Sequence, residues 1–170
     1  GKIDNGPMLN ISDMRKAIEN ENKDLDFTDV PLRIELHSPD VYDLNVVDLP
    51  GYVISVKEGQ DPELPTKIKG LCRKYLSDPE NIILCVASAS ADPATSVAIG
   101  EAQKFDTNRD RTIGVLTKID IGKTRNMKRI LTGQEYKLPL GWLGTRGRTF
   151  EELQAGMNFN ELIKIESSMI

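Results

Sequence analysis

Apolar residues recur along the chain with two different periods, and those periods assign its elements. Ile11, Met14, Ala17 and Ile18 share one helical face, with Ser12 or Asp13 able to cap it. Residues 20–26 are polar and acidic and read as a loop. Leu32, Ile34 and Leu36 alternate with Arg33, Glu35 and His37, the pattern of a half-exposed strand near a sheet edge. Ser38-Pro39-Asp40 is a turn signal, and the mostly apolar 44–47 follows as a second strand, able to pair with the first as a hairpin. Leu64, Ile68, Leu71, Cys72, Tyr75 and Leu76 mark the buried stripe of an amphipathic helix. The solid apolar run 82–87 predicts a strand covered on both faces, which favours a parallel sheet. Asp92-Pro93 is a helix start, and Val97, Ala98, Ala102 and Phe105 supply that helix's inner face. Residues 112–116 form the next apolar strand, and Met127, Ile130 and Leu131 mark a short helix ending near Gly133. A last strand is expected at 140–145, then a helix from Phe150 that Gly156 and Asn158 interrupt.

From Leu44 onward strands alternate with helices, which predicts an α/β fold with a mostly parallel sheet, helices on both faces and right-handed crossovers. Ligands on such sheets bind at the carboxyl ends of the strands, so the residues just after Val47, Ala87, Leu116 and Leu143 are the places to search. A chain of 170 residues suits one domain with its own core. Lys plus Arg number 22 against 26 Asp plus Glu, and the resulting charge of −4 argues against broad nucleic-acid binding, which needs a basic face. Cys72 and Cys85 sit in apolar stretches and read as buried core thiols in a reducing compartment. No apolar run reaches the length of a membrane span, and the first residues lack the apolar core of a signal or transit peptide.

Two short motifs stand after predicted strands. Asp48-Leu49-Pro50-Gly51 offers a carboxylate able to hold Mg²⁺ through water and a glycine whose N–H can approach a γ-phosphate. Taken alone it reads as an ordinary Pro-Gly turn, since roughly one D-x-x-G arises by chance in a chain this long. Thr117-Lys118-Ile119-Asp120 is rarer and follows the strand at 112–116 directly. A carboxylate there can accept both the N1–H and the exocyclic amino group of guanine, a bidentate match that adenine does not offer. The stem of Lys118 would lie over the base plane. The plainer reading is a capped turn carrying a solvated Lys–Asp pair. His37 reads as a solvated edge residue, Trp142 as core, Asp110 and Arg111 as a turn pair, and Lys123, Arg125, Lys128 and Arg129 as a solvated basic face.

These residues carry a resemblance. From about residue 11 to residue 152 the chain resembles the GTPase domain of the dynamin superfamily. The matching text is Leu44-Asn45-Val46-Val47-Asp48-Leu49-Pro50-Gly51, Lys74-Tyr75-Leu76, Asn81-Ile82-Ile83-Leu84, the run from Arg111 through Asp120, and Leu140-Gly141-Trp142-Leu143-Gly144. Tyr52 and the stretch from Glu135 to Gly141 look most like the fungal mitochondrial inner-membrane fusion dynamins, with the Mx-like and vesicle-scission dynamins close behind. The resemblance implies a P-loop-GTPase-like fold, with residues 1–150 a partial GTPase domain and 151–170 the start of a following helical segment. It implies GTP or GDP and Mg²⁺ as ligands. Asp48 becomes the Mg²⁺-linked switch residue and Gly51 the γ-phosphate sensor, while Thr117, Lys118 and Asp120 read guanine. Where the family has a base-contacting Asn-Arg pair, this chain has Gly147-Arg148, so Arg148 matches and Gly147 brings no side chain. The implied partners are a second GTPase domain, which the basic face after Asp120 would adjoin, and a lipid membrane contacted through regions outside this chain. The implied setting is intracellular, at the mitochondrial inner membrane or a cytoplasmic membrane surface.

No G-x-x-x-x-G-K-[S/T] phosphate loop occurs in the sequence; Gly122-Lys123-Thr124 lacks the required earlier glycine, its place being held by Thr117. In the fold this chain resembles, the strand feeding that loop lies between the strands at Leu44 and Ile82. The chain is therefore expected to be one piece of a larger protein, folding poorly and binding GTP weakly by itself. Two functions follow: GTP hydrolysis coupled to self-assembly and membrane fusion or fission in the parent protein, or a non-hydrolysing interaction module.

Overall fold

The computed structural model describes residues 11–22, 27–39, 42–121 and 124–168. The chain divides into two units, Gly1–Leu71 and Cys72–Ile170.

The first unit opens with helix α1 (Ile11–Asn22). Ser12 and Asp13 fall inside its first turn, and the helix runs through residues 20–22, where a loop is expected; residues 23–26 lie outside the described residues. The two strands expected at 32–37 and 44–47 do not form. The backbone at 33–37 is nevertheless extended enough for Arg33, Glu35 and His37 to meet on one side, at 3.2 Å and 3.6 Å. Leu32, Ile34, Leu44 and Val46 stay exposed. Alternation gives the chain a preference for extension, but a strand also needs a hydrogen-bonded neighbour, and neither segment has one among the described residues. The turn expected at 38–40 is seen at Pro39, and Asp40 lies outside the described residues. Before helix α2 (Leu64–Leu76), the Asp61 carboxylate accepts the Glu63 N–H at 2.8 Å and the Lys67 ammonium at 2.6 Å. Leu64 and Ile68 are buried, one turn apart, as the stripe predicts.

The second unit holds the sheet. Strands β1 (Ile83–Ser88), β2 (Thr112–Thr117) and β3 (Trp142–Gly144) pair in parallel in the order β1-β2-β3. Between them lie α3 (Val97–Phe105) and α4 (Thr124–Leu131), and after β3 come α5 (Phe150–Gln154) and α6 (Phe159–Ser168). The α/β class and the parallel sheet follow the alternation in the sequence. The helix start expected at Asp92-Pro93 comes later: Pro93–Thr95 form a 3-10 turn, and Ser96 caps α3 by accepting the Ile99 N–H.

The register sets Cys85 beside Gly114 and Gly114 beside Trp142, so these residues share one face. That face is the core. Ile83 and Cys85 pack with Ala102 of α3, and Ala87, Leu116 and Trp142 pack with Met127 and Ile130 of α4. The opposite face carries Leu84, Val86 and Leu143, which are more than half exposed. The run 82–87 is thus covered on one side within this unit, not on both as expected. The strand order gives the reason: when parallel strands step in one direction, right-handed crossovers put every connecting helix on the same side. Trp142 is core, as read, and its Nε1–H donates to the Tyr136 carbonyl at 2.8 Å. Gly114 makes room for it, since a Cβ there would lie 2.2 Å from the indole.

At the opposite end of β2, Asp110 and Arg111 lie in a turn, as read, and Arg111 does more than turn the chain. Its guanidinium donates to the carbonyls of Leu76, Asn81 and Phe105 at 2.7, 2.8 and 3.0 Å. Two of these carbonyls end α2 and α3, where intrahelical donors run out. Burial would raise the pKa of the neighbouring Asp106. Hydrogen bonds from the Thr112 hydroxyl and the Arg111 and Asp110 N–H groups outweigh it and hold the carboxyl below its ordinary value.

Candidate functional site

β2 delivers Thr117-Lys118-Ile119-Asp120 to the carboxyl end of the sheet, where ligands of parallel α/β folds bind. The Thr117 hydroxyl donates to the Ala87 carbonyl at 3.2 Å, tying the end of β2 to that of β1. Lys118 adopts the left-handed conformation, φ 57°. For a residue with a Cβ this costs roughly 1–2 kcal/mol, and such strain survives where the surroundings over-determine it. Here they do. Ile119 is buried at 1% exposure, and the Ile121 N–H closes a turn onto the Lys118 carbonyl at 3.2 Å. The turn leaves Lys118 and Asp120 exposed on either side of the buried Ile119. Asp120's carboxylate takes no partner among the described residues. A fixed backbone thus presents a carboxylate and a long cationic stem toward solvent.

The loop after β3 is joined to this turn by main-chain atoms. The Thr145 N–H donates to the Leu116 carbonyl at 2.8 Å, and the Ile119 N–H donates to the Thr145 carbonyl at 3.2 Å. Arg146 follows, its side chain 7% exposed, and pairs with Glu152 in the first turn of α5. One Glu152 oxygen takes that guanidinium. The other accepts the Thr149 N–H at 2.8 Å, while the Thr149 hydroxyl accepts the Glu152 N–H at 3.2 Å. This reciprocal pair is a capping box. The Arg146 hydrogen bond, followed by that of Thr149, holds the Glu152 carboxyl below the ordinary glutamate value. Arg148, the residue matched to a base contact, donates instead to the Met157 carbonyl at 3.0 Å. Gly147 has open space around its Cα.

Within one unit, then, the structure brings together Thr117, Lys118, Asp120 and the loop that carries Arg148. Asp48 and Gly51 belong to the other unit, exposed on an extended segment that is not the end of a strand. Gly51 has no neighbouring atom within 4 Å of where a Cβ would stand. Among the described residues no group of three His, Cys, Asp or Glu side chains could hold a metal ion. A lone carboxylate such as Asp48 fits Mg²⁺ in one way, as a single ligand to an ion whose remaining oxygens come from phosphates and water. A small cavity of about 30 Å³ lies on the covered face of the sheet beside Cys85, Ala102 and Trp142, with no room for a nucleotide.

Thr145, Arg146 and Glu152 are not singled out by the sequence. The one visible signal is Thr149-x-x-Glu152, the capping-box spacing ahead of a helix. Of the basic face, Arg129 pairs with Glu135 at 2.7 Å and Lys128 is exposed, while Lys123 lies outside the described residues.

A sequence profile of the dynamin family matches residues 5–119, more than half of the chain. The mitochondrial dynamin-like GTPase MGM1 of Chaetomium thermophilum is 43% identical over 117 residues, covering 69% of this chain and 12% of that relative. Dynamin-related protein 12A of Glycine max is 34% identical over 151 residues, covering 85% of this chain and 25% of the relative. Dynamin-related protein DNM1 of Saccharomyces cerevisiae is 33% identical over 162 residues, covering 92% of this chain and 21% of the relative. The chain therefore spans a quarter or less of the length of each of these proteins.

Proposed function

The chain belongs to the dynamin family, and on that premise we propose that it is part of the nucleotide-binding domain of a GTPase that self-assembles and remodels membranes. One observation carries the reading: the left-handed turn at Lys118, which holds Asp120 exposed at the carboxyl end of β2. Asp120 accepts the N1–H and the amino group of guanine, and the Lys118 stem covers the base. Thr117 ties the turn to β1. Arg148 joins the set by exchanging the Met157 carbonyl for the base. Asp48 acts as the single protein carboxylate of a nucleotide-bound Mg²⁺, and Gly51 meets the γ-phosphate through its N–H. When bound, Mg²⁺ would supply neutralisation of the charge that develops on the phosphates. None of these residues acts as a general base, and hydrolysis depends on positioning of water. The similarity to mitochondrial relatives favours a mitochondrial membrane as the place of action.

The test is nucleotide preference in the intact protein. Asp120→Asn should lose affinity for GDP by roughly a hundredfold, the loss of a charge-assisted bidentate pair, and gain affinity for xanthosine diphosphate. Asp48→Ala should lower hydrolysis and spare GDP binding. An unchanged guanine preference in Asp120→Asn would refute the reading. Guanine selectivity with no hydrolysis in the wild type would instead identify an interaction module.

A further inference from the structure

The Arg146–Glu152 pair lies outside the residues that would touch a nucleotide, yet it is the best-buried charged pair among the described ion pairs of the molecule. An ion pair at a surface contributes little, whereas breaking a buried one is costly, because the partner left behind keeps its charge out of water. Arg146 commits Nη2 to Glu152, while its buried Nε finds no acceptor among the described residues. Glu152 divides its two oxygens between Arg146 and the Thr149 N–H. α5 has five residues, too few to persist as a helix without such ties. The residue just before Arg146 is Thr145, whose N–H and carbonyl bond to Leu116 and Ile119 on either side of Thr117-Lys118. A continuous chain of contacts thus runs from Glu152 through Arg146 and the Thr145 backbone to the turn that presents Asp120.

We propose that Arg146 and Glu152 are positioning residues for purine recognition: the pair fixes the Thr145 backbone, and Thr145 holds the Lys118 turn in the conformation that aims Asp120 at the base. The proposal rests on the guanine reading given above. Neither residue contacts the nucleotide. Their effect is on how long the turn keeps its left-handed geometry, and so on how fast the base leaves.

The experiment uses the intact protein and fluorescent GDP and ADP analogues, with dissociation followed by stopped flow and thermal midpoints recorded alongside. Glu152→Gln removes the charge that Arg146 needs but keeps an oxygen for the Thr149 N–H, so the capping box survives. Arg146→Gln removes the other partner. Each single variant should speed GDP dissociation about tenfold and reduce the preference for GDP over ADP by a similar factor, and the double variant should do no more than either single, the signature of one shared interaction. Thr149→Ala loosens α5 without removing the pair; it should lower the thermal midpoint and leave dissociation within about twofold. If a Gln variant shows no thermal transition, Arg146→Lys, which keeps the charge but not the planar fork, supplies the same measurement. Additive single effects, or a Thr149→Ala variant as fast as Glu152→Gln, would overturn the proposal, because the pair would then serve only to hold α5. Asp120→Asn separates the two claims. If guanine preference persists in it, both fall. If preference is lost there while Glu152→Gln binds like wild type, only the positioning role falls.

Discussion

Gly114 and Trp142 face each other across β2 and β3 with no space between them. A Cβ at position 114 would stand 2.2 Å from the indole, so even alanine must displace the largest side chain in the core. Overpacking of this kind costs about 1–3 kcal/mol, and the upper end is expected because the neighbour is a rigid ring. Gly114→Ala should therefore lower unfolding stability by about 3 kcal/mol in urea titration. Trp142 is the chain's one tryptophan, so its emission should shift red in the same variant as it loses the Tyr136 hydrogen bond. A second expectation concerns Glu152, whose carboxyl lies below its ordinary value of 4.5 because Arg146, and then Thr149, bond to its charged form. A depressed acid stabilises the fold at every pH above its unfolded value and loses that contribution as pH falls through the folded one. Thermal midpoints should thus drop between about pH 4.5 and the lower folded value, and Glu152→Gln should flatten that part of the curve.

Among the elements, Arg111 joins the ends of two helices to the base of β2. Its three carbonyl partners lie at the close of α2, in the turn before β1 and at the close of α3. Arg111→Met should cost about 3 kcal/mol, because hydrogen bonds to a charged donor are strong and the carbonyls are left half-buried. Arg111→Lys should not restore the loss, since one ammonium cannot span three acceptors in a fork. Amide exchange in the last turns of α2 and α3 should speed up in both variants. The sequence told much less about this residue than about the elements it ties. Periodicity located α2, β1, β2, α4 and β3 because burial of one face is written in the order of side chains. It also located the extension at 33–37, where Arg33, Glu35 and His37 do share a side. What it could not supply was a neighbouring strand, which is a property of distant chain. Thr117, Lys118 and Asp120 were legible as a candidate site because a rare four-residue motif directly after an apolar strand stands out in the order of side chains. Thr145 was not, because it acts through its peptide groups, and every residue but proline has the same ones.

For the whole molecule the governing fact is the one-directional order of the sheet. All of its connecting helices go to one side, and Leu84, Val86 and Leu143 remain on the other, each more than half exposed. β1 is also an edge, paired only with β2 among the described residues. An apolar face beside an open edge favours association. This chain by itself should self-associate with rising concentration in sedimentation velocity, and Leu84→Thr with Val86→Thr should reduce that tendency while keeping strand propensity and far-UV dichroism. The rim above the sheet obeys a different economy. Since Thr145 is clasped through its amide and its carbonyl, its side chain can be exchanged, and with it the chemistry displayed beside the Lys118 turn, while the turn keeps its shape; proline alone is barred.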